Sequence, residues 1–194
     1  MTKKDISSIP DIPELERELK RERYRHRYKK TLRSTIYALI TVAAAAILVA
    51  TLWLPVLEIY GNSMSPTLEN GQIVLSLKSG QMRSGQVVAF YYNNKILVKR
   101  VIAQSGDWVN IDSDGNVYVN GALLDEPYLT EKALGECNIE LPYQVPEEHV
   151  FVMGDHRSTS IDSRNTAVGC VSGDQIVGRL VMCIWPIGDL GRIR

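Results

Sequence analysis

Between residues 36 and 54 the chain runs nineteen positions without a charge, IYALITVAAAAILVATLWL, the one long apolar run in its 194 residues. An α-helix needs ~20 predominantly apolar residues to cross the hydrocarbon layer. A buried helix of a soluble domain would show a polar face, and this run shows none. A cleaved secretory signal has an apolar region of only ~7–15 residues, closed by small residues. Here the run ends in Thr51-Leu52-Trp53-Leu54-Pro55, bulky to the last. The pattern predicts one uncleaved membrane-spanning helix over residues 35–55, with a tail over 1–34. Residues 13–33 read as a short charged helix leading toward it, its start blurred by Pro10 and Pro13.

Beyond Pro55 the period changes. GQVVAFYY and KILVKRVIA flank Asn93-Asn94, WVNI and VYVN flank Asp112 to Asn116, and Asn120-Gly121 marks another turn. Such pairs of short β-rich runs around Asn/Asp/Gly turns read as hairpins. EHVFVMGD and QIVGRLVMCIWP add further strands. No stretch past residue 58 holds a helical period. Residues 56–194 are therefore expected to form a mainly β, antiparallel domain, with about 107–149 as a small inserted β subregion.

Charge orients the anchor. Residues 1–34 carry eleven Lys/Arg against six Asp/Glu, and residues 55–194 carry eleven against sixteen. The positives crowd against the apolar run in RERYRHRYKKTLR, residues 21–33. Basic residues beside a span stay cytoplasmic, so the tail is expected inside and the β domain outside, in a single-pass membrane protein. No nucleic-acid reader surrounds the basic run, and contact with anionic membrane lipid accounts for it. Cys137, Cys170 and Cys183 all fall in the exported part. One disulfide with a spare thiol and three free thiols both remain open. NIDSDGNVYVNG has the look of a calcium loop, but Gly121 stands where a bidentate glutamate is needed. His26, His149 and His156 form no ligand cluster, so no metal is expected.

Three segments carry candidate chemistry: GNSMSPTL (61–68), LVKRVIAQSGD (97–107) and GDHRSTSIDSR (154–164). A lysine within an apolar strand is costly to bury. Alternation places Lys99 with Leu97 and Val101, and Arg100 with Val98 and Ile102. Lys99 is either an edge-strand lysine whose head reaches water, or a buried neutral base with a lowered pKa that takes a proton from a serine. Of the two serines near the anchor, Ser65 is restricted by Pro66, whereas Ser63 lies in a turn opened by Gly61.

These three segments, in this order behind one N-terminal anchor, resemble bacterial type I signal peptidases of the short Gram-positive kind, from residue 36 onward. The resemblance implies a Ser–Lys serine endopeptidase that removes signal peptides from exported preproteins, cutting after small residues of the Ala-x-Ala type and needing no cofactor. It implies Ser63 as nucleophile and donor of one oxyanion N–H, and Lys99 as general base. Ser160 would orient the lysine, while Asp162, Arg164 and Arg100 form an ion-pair network around it. Ile59, Met64, Leu68, Leu97 and Val98 would line the substrate pockets. Two departures stand out. Gly61 replaces a serine that supplies a second oxyanion donor in Gram-negative members. His156 replaces an asparagine and invites a rival Ser63–His156–Asp triad, although its adjacency to Asp155 favours local loop contacts. A self-cleaving repressor-type Ser–Lys peptidase would lack the anchor. A non-catalytic surface module would leave Ser63 inert to acylating inhibitors.

Overall fold

The computed structural model describes residues 12–78 and 82–193; the first eleven residues of the expected tail lie outside them. One helix, α1 (Ile12–Trp53), covers both the charged segment and the apolar run. At 1.5 Å per residue it is about 63 Å long. Its continuity follows from composition, since no glycine or proline stands between Pro13 and Pro55. Straight-chain residues fill its first half, with pairs such as Glu16–Lys20 at helical spacing. Thr35 and Thr41 turn their hydroxyls back onto the carbonyls of Thr31 and Tyr37, at 3.0 and 2.9 Å, so the apolar half exposes few polar groups. The helix is long and apolar enough to cross a membrane. It stops at Trp53 because Leu54 precedes Pro55, which disfavours helical backbone.

After Pro55 the regular secondary structure of the described chain is antiparallel β, apart from two short 3-10 turns. The strands are β1 (Val56–Glu58), β2 (Ile73–Leu77), β3 (Val87–Tyr92), β4 (Lys95–Ala103), β5 (Trp108–Ile111) and β6 (Val117–Val119). Then come β7 (Ala122–Leu123), β8 (Tyr143–Gln144), β9 (His149–Met153), β10 (Val171–Ser172), β11 (Ile176–Trp185) and β12 (Gly191–Arg192). The larger sheet has the order β1-β2-β11-β3-β4-β9-β10, with β12 beside β11, and β7-β6-β5-β8 make a smaller one. The expected hairpins are present. Asn93 and Asn94 take φ of 44° and 61° between β3 and β4, and Asn120-Gly121 takes 52° and 81° between β6 and β7. Positive φ at both central residues matches the twist of a tight hairpin.

Two apolar layers meet at β3 and β4. Val87, Ala89 and Val98 pack with Ile59, Met64, Leu68 and Leu180. On the other face Val88, Phe90, Leu97 and Val101 pack with Val152 and Val171. A third cluster joins Ile102, Phe151 and Met153 to Val109, Ile111 and Val117 of the small sheet. All three cysteines are free thiols. Burial pushes the Cys170 thiol up to about 11.

Gly178 of β11 shows how closely the large sheet is packed. A Cβ there would meet Ser76 Oγ at 2.5 Å and the Leu77 carbonyl oxygen at 2.8 Å. Gly178→Ala is expected to cost about 1–3 kcal/mol, as overpacking does, read as a lowered denaturation midpoint of the purified chain.

Candidate active site

The loop from β1 to β2 is closed at its base by Ile59 N donating to the Gln72 carbonyl and Gly71 N donating to that of Ile59, both at 2.8 Å. Within it Ser65 N donates to the Asn62 carbonyl and Leu68 N to that of Met64, winding residues 62–68 into tight turns. Gly61 enters at φ 89°, where a side chain would be strained. Its N–H is held by Asn70 Oδ1 at 2.9 Å. This turn buries Met64 and leaves Ser63 half-buried at the mouth of a cleft. Among the described residues the Ser63 N–H has no acceptor.

Lys99 sits in β4 opposite Val88, on the face that carries Leu97 and Val101. It is 3% exposed, so it does not snorkel. Its Nζ donates to Ser160 Oγ at 2.9 Å, and the Ser160 hydroxyl is bonded in turn to Asp162. Burial lowers the lysine to about 8, partly offset by the field of Asp162 and reinforced by that of Arg164. Ser63 and Ser160 come together at Gly154. A Cβ there would collide with Ser160 Oγ and stand 2.5 Å from the Ser63 carbonyl oxygen. That carbonyl also accepts the His156 N–H at 3.1 Å. The three separated segments thus meet around one glycine.

Asp162 grips Arg164, accepting from Nε and Nη2 at 2.8 Å each, with both side chains fully buried. Arginine bonds hold this carboxyl below its ordinary range despite burial, which raises it. Arg100 does not join that pair, contrary to expectation. Its guanidinium donates to Asp155 at 2.9 and 2.6 Å and lies 3.9 Å from the centre of the Tyr128 ring. The reason is alternation: Arg100 projects from β4 on the face opposite Lys99. A third pair, Arg157 with Glu126, is equally buried. Arg164 also donates to the Leu134 carbonyl at 2.6 Å, so the segment 126–135 is strapped to the back of the site. Asp155, Arg157, Glu126 and Tyr128 carried no assigned role in the sequence. Asp155 and Arg157 stand within GDHR, but nothing in DEPY at 125–128 marks its carboxylate as buried.

Ser63 opens onto an apolar cleft of about 630 Å³ lined by Ile59, Met64, Leu97 and Val98, with Glu58, Tyr60 and Lys95 at its border. Leu68 does not line it. The turn that bonds Leu68 N to Met64 rotates its side chain into the core beside Val74 and Leu180. His156 makes loop contacts, its carbonyl accepting from Thr159 and Ser160 N–H. No triad forms around it, because both oxygens of Asp155 are taken by Arg100 and Thr67. No cluster of three metal-ligating side chains occurs among the described residues.

The family model described as "Signal peptidase, peptidase S26" matches residues 32–185. The chain belongs to this family. It is thereby a serine endopeptidase of the signal peptidase I type. Signal peptidase IB of Staphylococcus aureus is 38% identical over 151 residues, covering 68% of this chain and 78% of that protein. Signal peptidase I of Bacillus licheniformis is 33% identical over 165 residues, covering 78% and 87%. A solved signal peptidase I from Enterococcus faecalis matches 52% of this chain and 97% of its own, at 28% identity and a TM-score of 0.45.

Removing one member of a buried ion pair strands the other charge, which costs about 3–5 kcal/mol. Glu126→Ala is expected to destabilise the domain by that order, because the Arg157 guanidinium has no water to turn to. Denaturant unfolding of wild type and variant in the same detergent measures it.

Proposed function

We propose that the chain removes signal peptides from exported preproteins, with Ser63 as nucleophile and Lys99 as general base. The observation that carries this is a lysine buried in an apolar wall and held by a serine hydroxyl rather than a carboxylate, that serine meeting the Ser63 turn across Gly154. An ammonium with no buried counter-charge of its own gives up its proton readily. Neutral Lys99 takes the Ser63 proton as Oγ attacks the scissile carbonyl, passes it to the leaving amine, then activates water to release the acyl-enzyme. Ser160 and Asp162 fix the direction of Nζ. The unpaired N–H of Ser63 suits the developing oxyanion. The Gly61 N–H, bonded to Asn70, does not serve as a second donor.

The substrate would bind as an added strand. Among the described residues β1 pairs only with β2, and β4 meets β9 only from Arg100 onward, so residues 56–58 and 95–98 both border the cleft with a pairing edge open. An extended peptide can take up such edges. Ile59, Met64, Leu97 and Val98 leave shallow apolar room, which favours small residues before the cut. Helix α1 would anchor the enzyme with its basic end in the cytoplasm, placing the reaction outside. No nucleic acid or cofactor enters this scheme.

Ser63→Ala and Lys99→Ala should each lower preprotein cleavage by about a thousandfold or more, the scale seen when a nucleophile or base is lost. Near-wild-type cleavage by either would falsify the assignment. The base works deprotonated, so activity should climb with pH until the lysine has lost its proton. With a pKa of about 8, roughly a tenth of Lys99 is neutral at pH 7. kcat/KM should therefore rise about tenfold between pH 7 and a plateau above pH 9. A flat profile through pH 8 would rule out Lys99 as the titrating base. The same lowering works on stability. Between the folded value near 8 and the unfolded value near 10.5, the unfolded chain binds more protons, so stability rises with pH in that window. Lys99→Met should abolish activity yet raise the unfolding midpoint at pH 7.

A further inference from the structure

Ser63 and Met64 face the apolar cleft, but Ser65, two residues on, faces a second cavity of about 240 Å³. Its lining is polar: Ser65, Thr130, Glu131, Asp155, His156 and Ser158, with Ala133 beside them. Two of these groups already have partners. Asp155 is consumed by Arg100 and Thr67, and Ser65 Oγ donates to Glu69 at 2.7 Å. Thr130 and Ser158 are exposed and reach solvent, and two further groups stand out. His156 Nδ1 is buried and bonds to no described residue. Glu131 is exposed and forms no ion pair with a described residue. The backbone of His156 is fixed beside the nucleophile's turn, because its N–H holds the Ser63 carbonyl and its carbonyl caps the turn to Ser160.

A buried polar atom without a partner is costly, and of the three such atoms among the described residues only His156 Nδ1 belongs to a residue beside the Ser63 turn. The cleft is apolar and suits the signal segment. The second cavity is edged by polar side chains, with Glu131 as its one carboxylate not already paired to a cation, and suits a chain of different chemistry. We propose that this cavity is the subsite for the first residues of the mature protein, just beyond the scissile bond. His156 Nδ1 bonds the incoming polypeptide there, and Glu131 favours cationic over anionic side chains. The assignment rests on Ser63 being the nucleophile, because that fixes which end of the substrate enters the cavity. It gives the histidine at position 156 a role in recognition rather than in proton transfer.

The test uses the full chain in detergent with paired preproteins that share one Ala-x-Ala signal and carry Lys or Glu at the second mature position. Wild type should prefer Lys by about two- to fivefold in kcat/KM, the range of an exposed charge pair. Glu131→Gln should bring the ratio to one, and Glu131→Lys should invert it. Because Glu131 is exposed, neither change threatens folding. His156→Phe should depress cleavage of the preprotein more than hydrolysis of a signal-segment methyl ester, which has nothing to place in the cavity. A Lys/Glu ratio untouched by both Glu131 variants would overturn the subsite, as would equal losses on peptide and ester for His156→Phe. Cleavage that persists in Ser63→Ala would sink the nucleophile assignment itself, and the subsite with it.

Discussion

Four cations lie buried around the site, Lys99, Arg100, Arg157 and Arg164, and each arginine has a carboxylate of its own. The lysine has only a hydroxyl. That inequality is the constraint on which the rest depends. Arginine stays protonated wherever it is placed, so burying it demands a partner. Lysine can answer desolvation by losing its proton. Asp162 stands near enough to raise the lysine somewhat, but its oxygens are engaged by Arg164 and its pull is muted. Had that carboxylate met Nζ directly, the ammonium would be favoured and the base lost.

The arginine pairs also explain the irregular segment between β7 and β8. Residues 126–135 have no regular secondary structure, yet Glu126 is 6% exposed and the Ala133 and Leu134 carbonyls accept from Arg164. Gly135 lets this strap lie against the Arg157 carbonyl, which a Cβ would strike. A backbone without ladder bonds must find other donors when buried, and here the donors are guanidinium groups. The strap in turn excludes water from the pairs it covers, which strengthens them. Polar groups thus do at this end of the domain what aliphatic packing does at the other.

Much of this was legible in advance, and particular residues show why. The anchor is a matter of length and missing charge. The hairpins at Asn93-Asn94 and Asn120-Gly121 announce themselves because few residues tolerate positive φ. Lys99 stood out because a charge inside KILVKRVIA contradicts its neighbours. Leu68 misled because spacing in a turn does not say which way a side chain is wound. Arg100 misled because nearness in sequence to Lys99 suggested one shared network, while the strand sends the two side chains to opposite faces. Glu126 left no trace at all. Its burial exists only once Arg157, thirty-one residues later, is folded against it.

By itself the sequence determined the elements: a helix that neither glycine nor proline interrupts, strands set by alternation, and the presence of a serine, a lysine and an acidic box. Those properties are local, since they depend on backbone preference and on the period of apolar residues. Only the tertiary structure decided that Lys99 is dry, that Ser160 rather than an acid meets it, and which carboxylate each arginine takes. It alone joined Ser63 to Ser160 across Gly154. Desolvation and partnership are properties of the space around a group, and that space is made by segments that the chain keeps far apart until the sheet closes.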